Sequence, residues 1–146
     1  MLMVPFDLQE KYNAKEKKEI GEINAKMLPL VTAGNFLKAL EILEEAFKID
    51  PNDELSLINK GVILTQLGKY NEAMEIYDSL LKINPKLSSV YYNKASCLSL
   101  LGKPDEAIDL LEKAIQIRPA FLETVKKDEE FSILKNFPRF QNLISN

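Results

Sequence analysis

The chain has 146 residues, of which 46% are apolar and 28% charged, and its formal net charge is −3. These values are ordinary for one soluble globular domain, and the lack of a basic block argues against nucleic acid as a partner. The absence of histidine excludes His-based acid–base catalysis and most zinc chemistry. The one cysteine, Cys97, fits a reducing compartment, so we expect a cytoplasmic protein. No apolar run reaches the roughly 18 residues that a membrane span needs, and the N-terminus carries no pattern of a secretory signal.

The first 19 residues are rich in charge after Asp7. They predict a helical lead-in, residues 1–19, that extends or precedes the helix expected to begin near residue 20.

From residue 20 onwards the sequence repeats itself every 34 residues, giving three repeats at 20–53, 54–87 and 88–121. Glycine, alanine and proline recur in register at 34, 68 and 102, at 39, 73 and 107, and at 51, 85 and 119. A fixed period of this length predicts a solenoid of stacked units, each of which buries its apolar face against its neighbours.

Each repeat predicts two helices, because apolar residues recur at spacings of three and four on either side of the glycine. In the middle repeat, Asp53 can cap the first helix and Gly68 can end it in a left-handed conformation. Pro29 lies inside the first helix of the first repeat and is expected to kink or interrupt it. The predicted helices are 20–33 and 37–49, 54–67 and 71–83, and 88–101 and 105–117.

Residues 122–146 leave the repeat pattern and predict short capping helices, with Pro138 opening the last. Terminal units of a solenoid must be atypical to shield its exposed end. The acidic run Asp128–Glu130 is interpreted as a solvated face. We predict one domain overall.

The repeats resemble the tetratricopeptide repeat (TPR) family over about residues 20–121. The resemblance rests on the spacing, the small residues and the terminal prolines, and it implies an all-α, right-handed superhelix. Departures from the family pattern include Pro104, where an aromatic residue is usual, and Met27, where glycine is usual.

The resemblance also implies a concave groove, lined by the first helices, that holds an extended peptide or a helix of a partner. Asn59 and Asn93 occupy equivalent places, similar to an asparagine ladder that binds a peptide backbone. The implied groove residues are Asn24, Leu28, Leu55, Ile58, Asn59, Val62, Gln66, Ser89, Tyr92, Asn93, Ser96 and Leu100.

Some co-chaperones of this family grip an acidic peptide terminus with Lys, Asn, Asn, Lys and Arg. The equivalent places here hold Asn24, Leu28, Asn59, Ser89 and Asn93, so all three cations are missing. We therefore expect no strong binding of acidic chaperone tails, because a carboxylate grip depends on Lys or Arg.

The sequence favours a non-enzymatic scaffold that binds a protein or peptide with apolar anchors, with no cofactor, metal, nucleic acid or membrane as partner. No nucleophile–base pair, phosphate loop or metal-ligand cluster supports catalysis. One alternative is a homo-oligomer that assembles through its outer face or its tail. Another is a regulatory subunit of an enzyme complex. Whether the tail folds back into the groove is left open.

Overall fold

The computed structural model describes residues 6–145 of the chain, with side chains from residue 13 onwards. Every secondary-structure element in this range is helical, as predicted. Residues 1–5 of the predicted lead-in and residue 146 of the predicted tail lie outside the described residues. The chain divides into two compact units, a first unit that ends at Leu67 and a second unit that begins at Gly68. Because contacts between solenoid repeats are local, this division does not test the predicted single domain.

Three helices make up the described part of the first unit: α1 (Phe6–Thr32), α2 (Phe36–Ile49) and α3 (Glu54–Gln66). Residues 6–19 of the lead-in form the N-terminal half of α1, so this part of the lead-in extends the first helix. The predicted interruption at Pro29 is wrong, because α1 continues to Thr32. Pro29 lies in the last turn; it lacks the N–H that would bond to the carbonyl of residue 25, and its ring crowds that carbonyl, but neither effect ends the helix.

One apolar cluster in the core of the first unit joins its three helices. Met27 of α1, Ala39 and Leu43 of α2, and Ile63 of α3 are buried together in one cluster. Asp53 caps α3, since its carboxylate accepts a hydrogen bond from the backbone N–H of Ser56 at 2.9 Å. The predicted cap of this helix is thereby confirmed.

The second unit continues with α4 (Tyr70–Ile83), α5 (Ser88–Leu100) and α6 (Pro104–Ile117). The tail comes next as α7 (Phe121–Lys127), a 3₁₀ helix that we call η1 (Glu129–Leu134), and α8 (Pro138–Ile144). Pro104 and Pro138 each open a helix, where the N–H that proline lacks would have no partner.

The tail supplies much of the core of the second unit. Val125, Phe131, Leu134 and Phe140 are buried in the same cluster as residues of α5 and α6. Ala95 and Ala107 belong to that cluster as well, which fits a close crossing of α5 and α6. The α5 residue Cys97 is fully buried, with its Sγ 3.7 Å from the backbone oxygen of Tyr70.

Glycine ends the first helix of each repeat in the left-handed conformation, with φ of 77° at Gly34, 76° at Gly68 and 74° at Gly102. At Gly34 the backbone N–H bonds to Val31, and the next N–H bonds back to Leu30. This pattern satisfies the last helical carbonyls and turns the chain sharply. An L residue with a side chain would be strained at these three positions.

No helix between residues 6 and 145 combines the length and apolar content that a membrane crossing requires.

Candidate functional site

The predicted groove residues fall into two sets, one in each compact unit. We call the first set the first-unit face, which is carried by α1 and α3. We call the second set the second-unit face, which is carried by α5. The first-unit face consists of Asn24, Leu28, Leu55, Ile58, Asn59, Val62 and Gln66. The second-unit face consists of Ser89, Tyr92, Asn93, Ser96 and Leu100.

The first-unit face presents apolar side chains to solvent. Leu28 is 57% exposed and Leu55 is 53% exposed. Ile58 and Val62 are half-buried, and Gln66 is exposed. None of the seven residues is charged, so this face offers apolar contact and amide hydrogen bonds.

One member of the first-unit face, Asn24, is only 4% exposed and makes internal hydrogen bonds. Its Nδ2 donates to the backbone oxygen of Ile20 and to Ser56 Oγ, each at 2.9 Å. Its Oδ1 accepts from Asn59 Nδ2 at 2.7 Å. Ser56 Oγ in turn donates to the Asp53 carboxylate at 2.7 Å. Asn24 therefore joins α1 to α3, and its own amide does not face solvent.

The second-unit face is covered in part by the tail. The Tyr92 ring stacks on Phe121 with centroids 5.2 Å apart, and it makes a T-shaped contact with Phe131 with centroids 5.3 Å apart. The Tyr92 hydroxyl donates a hydrogen bond to Asp128 Oδ2. The other oxygen of Asp128 caps η1 by accepting from the backbone N–H of Glu130 at 2.9 Å. Tyr92 is thus held between two aromatic rings and a carboxylate of its own chain.

Two serines extend this contact along α5. Ser96 is buried, and its hydroxyl donates to the Glu130 carboxylate. Ser99 is buried as well, and its hydroxyl donates to the Glu130 backbone oxygen at 3.2 Å. The tail therefore does fold onto this part of the predicted groove. The interpretation of Asp128 and Glu130 as solvated is wrong.

The electrostatics of this contact favour the neutral phenol. Burial raises the pKa of Tyr92 well above its ordinary value near 10, and the hydrogen bond from Tyr92 to Asp128 raises it further. The negative charges of Asp128 and Glu130 act in the same direction. A tyrosinate next to two carboxylates would be repelled by both, so Tyr92 serves as a hydrogen-bond donor.

The other residues of the second-unit face form no hydrogen bonds with the described part of the tail. Ser89 and Asn93 are half-buried, and Leu100 is exposed. Within the described part of the chain, the Asn93 side chain has no hydrogen-bond partner, in contrast to Asn59.

Sequence reasoning missed two features of these faces. The role of Asn24 depends on α1 lying against α3, which no local pattern encodes. The tail contact depends on Asp128 and Glu130, and the only signal for it was an acidic pair next to the buried Phe131. In the part of the chain that is described, no group of three or more cysteine, aspartate or glutamate side chains is arranged to hold a metal ion.

Two family models described as tetratricopeptide repeat match the sequence, one over residues 30–97 and one over residues 88–121. Together they span residues 30–121, which is more than half of the 146 residues. No curated protein sequence matches this chain significantly.

Solved structures of the same fold come from several organisms. The type III secretion chaperone SycD of Yersinia enterocolitica, in complex with a peptide of the translocator YopD, is 19% identical with a TM-score of 0.65. That match covers 81% of this chain and 91% of SycD. The TPR domain of Arabidopsis OM64 is 14% identical with a TM-score of 0.66, covering 89% of this chain and 98% of the domain. MamA of Desulfovibrio magneticus RS-1 is 16% identical with a TM-score of 0.62, covering 86% of this chain and 74% of MamA.

Proposed function

Because this chain belongs to the tetratricopeptide repeat family, we propose that it is a non-catalytic scaffold that binds an extended or helical peptide of a partner protein. The proposed binding surface is the first-unit face. The observation that carries this proposal is the exposure of two large apolar side chains, Leu28 and Leu55, on the same pair of helices as the amide of Asn59. Exposed apolar residues grouped on one face are typical of interaction sites.

The second-unit face makes a smaller contribution in this proposal. Tyr92 and Ser96 already bond to the tail, and the tail is anchored by the fully buried Phe131. A partner would have to compete with these tail contacts to form a hydrogen bond with either hydroxyl. We therefore assign no binding role to Tyr92 and Ser96.

The proposed partner offers apolar anchor residues and little charge. An apolar side chain that enters a contact gains about 25 cal/mol for each Å² removed from water, whereas an uncharged face cannot compensate a desolvated carboxylate. The related SycD structure contains a bound peptide of another protein, which supports peptide binding by a protein of this fold. The setting we propose is the cytoplasm.

The proposal can be tested by selecting short random peptides on phage against the intact protein and measuring their affinity by fluorescence anisotropy. We expect Leu55→Ser to weaken the selected peptides by about tenfold, because one buried leucine contributes about 1.5 kcal/mol or more. Leu37→Ser is the matched control, since Leu37 is 71% exposed on α2, outside the face. Equal affinity of the two variants would contradict the placement of the site.

A peptide that ends in acidic residues tests the expected selectivity. We expect no saturable binding of such a peptide at micromolar concentration, because no lysine or arginine belongs to either face. Tight binding would show that charge, and not apolar contact, governs recognition.

Self-assembly through the outer face or the tail is the second candidate, and the related chaperone SycD, which has been solved as an alternative dimer, supports it. Light scattering over a range of protein concentrations separates the candidates. A constant monomer mass favours peptide binding, and a mass that doubles with concentration favours assembly.

A further inference from the structure

In the hydrogen-bond network around Asn24, the groups at both ends can only accept. They therefore determine which atom donates in each bond. At one end, the Asp53 carboxylate can only accept, so Ser56 must donate its one hydroxyl proton to it. Ser56 Oγ is then the acceptor for Asn24 Nδ2. At the other end, the backbone oxygen of Ile20 also only accepts, and it faces the same Nδ2.

These two acceptors leave one orientation for the Asn24 amide. Both protons of Nδ2 are taken up by Ile20 and Ser56, so Oδ1 points at Asn59. Asn59 must therefore donate through its own Nδ2, at 2.7 Å. Its Oδ1 accepts no hydrogen bond within the described residues. The half-buried Asn59 is left with one oxygen acceptor and one amide proton for a partner.

The network occurs at one place in the described repeats. The residues one period after Asn24 and Ser56 are Ile58 and Val90, which cannot form it. Asn93, one period after Asn59, consequently has no equivalent support.

We infer that Asn24 is a positioning residue, which holds the Asn59 amide in one orientation so that it binds the backbone of a partner peptide in the first-unit face. This inference rests on the proposed function. One oxygen acceptor and one N–H are the complement of the N–H and C=O of an extended backbone. The Asn59 side chain is already fixed before a partner binds, so binding costs it little conformational entropy. The Asn93 side chain is not fixed in this way and would lose conformational entropy on binding.

The first experiment needs no ligand. Side-chain ¹⁵N relaxation and amide hydrogen exchange are measured for Asn59 and Asn93 in the intact protein. We expect Asn59 to be the more rigid, with exchange about tenfold slower or more. In Asn24→Leu, which keeps the side-chain volume, we expect Asn59 to become as mobile as Asn93. Equal mobility of Asn59 and Asn93 in the intact protein, or no change in Asn24→Leu, would overturn the inference.

Ser56→Ala is the control for a purely structural role. This variant loses stability, because Asp53 and Asn24 each lose a buried partner, but it keeps the bonds from Asn24 to Ile20 and from Asn59 to Asn24. We expect Asn59 to remain rigid in it. If Asn59 instead loses rigidity in Ser56→Ala in proportion to the loss of stability, Asn24 has only a stabilising role.

The second experiment uses the tightest peptide selected on phage against the intact protein. We expect its affinity to fall about two- to tenfold in Asn24→Leu and to be unchanged in Ser56→Ala, at a temperature where both are folded. Equal affinity in Asn24→Leu and wild type would overturn the positioning role alone. If Asn59 is rigid but no peptide can be selected, the proposed peptide-binding function is overturned. The proposed contact between Asn59 and a partner is then overturned as well.

Discussion

The two predicted binding faces differ in what covers them, although they lie at the same positions of the repeat. On α3 the positions hold Ile58 and Val62, which stay half-buried beside exposed leucines. On α5 the equivalent positions hold Tyr92 and Ser96, which bond to Asp128 and Glu130 of the tail. The side chains at equivalent positions therefore differ according to whether the tail covers the face. Hydroxyl groups occur where carboxylates of the same chain bind, and apolar groups occur where a face is left open.

The largest effect should come from the residue that anchors the tail. Phe131→Ala removes a fully buried ring from the core of the second unit. We expect the free energy of unfolding to fall by about 3–5 kcal/mol, measured by chemical denaturation. Ile133→Ala, in the same 3₁₀ helix but at a side chain that is 52% exposed, should change it by about 0.5 kcal/mol or less. A small effect of Phe131→Ala would mean that the tail is loosely held and that the second-unit face is available to partners.

A smaller effect should result from Tyr92→Phe. This variant keeps the ring contacts with Phe121 and Phe131 but loses the hydrogen bond to Asp128. We expect a loss of about 1–2 kcal/mol in the free energy of unfolding. A neutral substitution would show that the hydroxyl contributes nothing to the closure of this face.

The cap of α3 gives a comparable test in the first unit. Asp53→Ala removes the acceptor for the backbone N–H and the hydroxyl of Ser56, and should cost about 1 kcal/mol or somewhat more. Leu87 holds the equivalent place before α5 and makes no side-chain cap. Substituting Leu87 by alanine should therefore leave backbone amide exchange in the first turn of α5 unchanged. Backbone amide exchange in the first turns of α3 and α5 would resolve the two responses.

The smallest expected effect is a difference in pH dependence. The pKa of Tyr92 is raised by burial and by Asp128, so the folded protein keeps this phenol protonated at a pH where the unfolded chain has lost the proton. The stability that depends on the phenol is complete below about pH 10 and falls as the pH rises above it. Wild type should therefore lose stability more steeply than Tyr92→Phe between about pH 10 and 11, so that their difference shrinks. Parallel curves in alkaline denaturation would contradict the raised pKa.

The sequence predicted the backbone of the repeats well and the side-chain contacts poorly. The period located every helix of the repeats to within a few residues, apart from the N-terminal extension of α1, since Gly68 and the capping Asp53 act within a single turn. The tail has no period, so its short capping helices were predicted but not the hydrogen bonds between the tail and α5. The burial of Asn24 was missed because it depends on the packing of α1 on α3. The residues of the binding site itself stay a prediction.

Because Cys97 is buried, its reactivity can report the opening of the second unit without an engineered probe. It is the one thiol of the chain, it is fully buried, and it is located on the helix that the tail covers. A thiol reagent can reach it only when this unit opens, so the labelling rate measures that opening in the unmodified protein. Comparison with the loss of helix signal in denaturant would reveal whether the two units unfold in one step or in sequence. A partner that protects Cys97 would have to act on the opening of the second unit, wherever on the protein it binds.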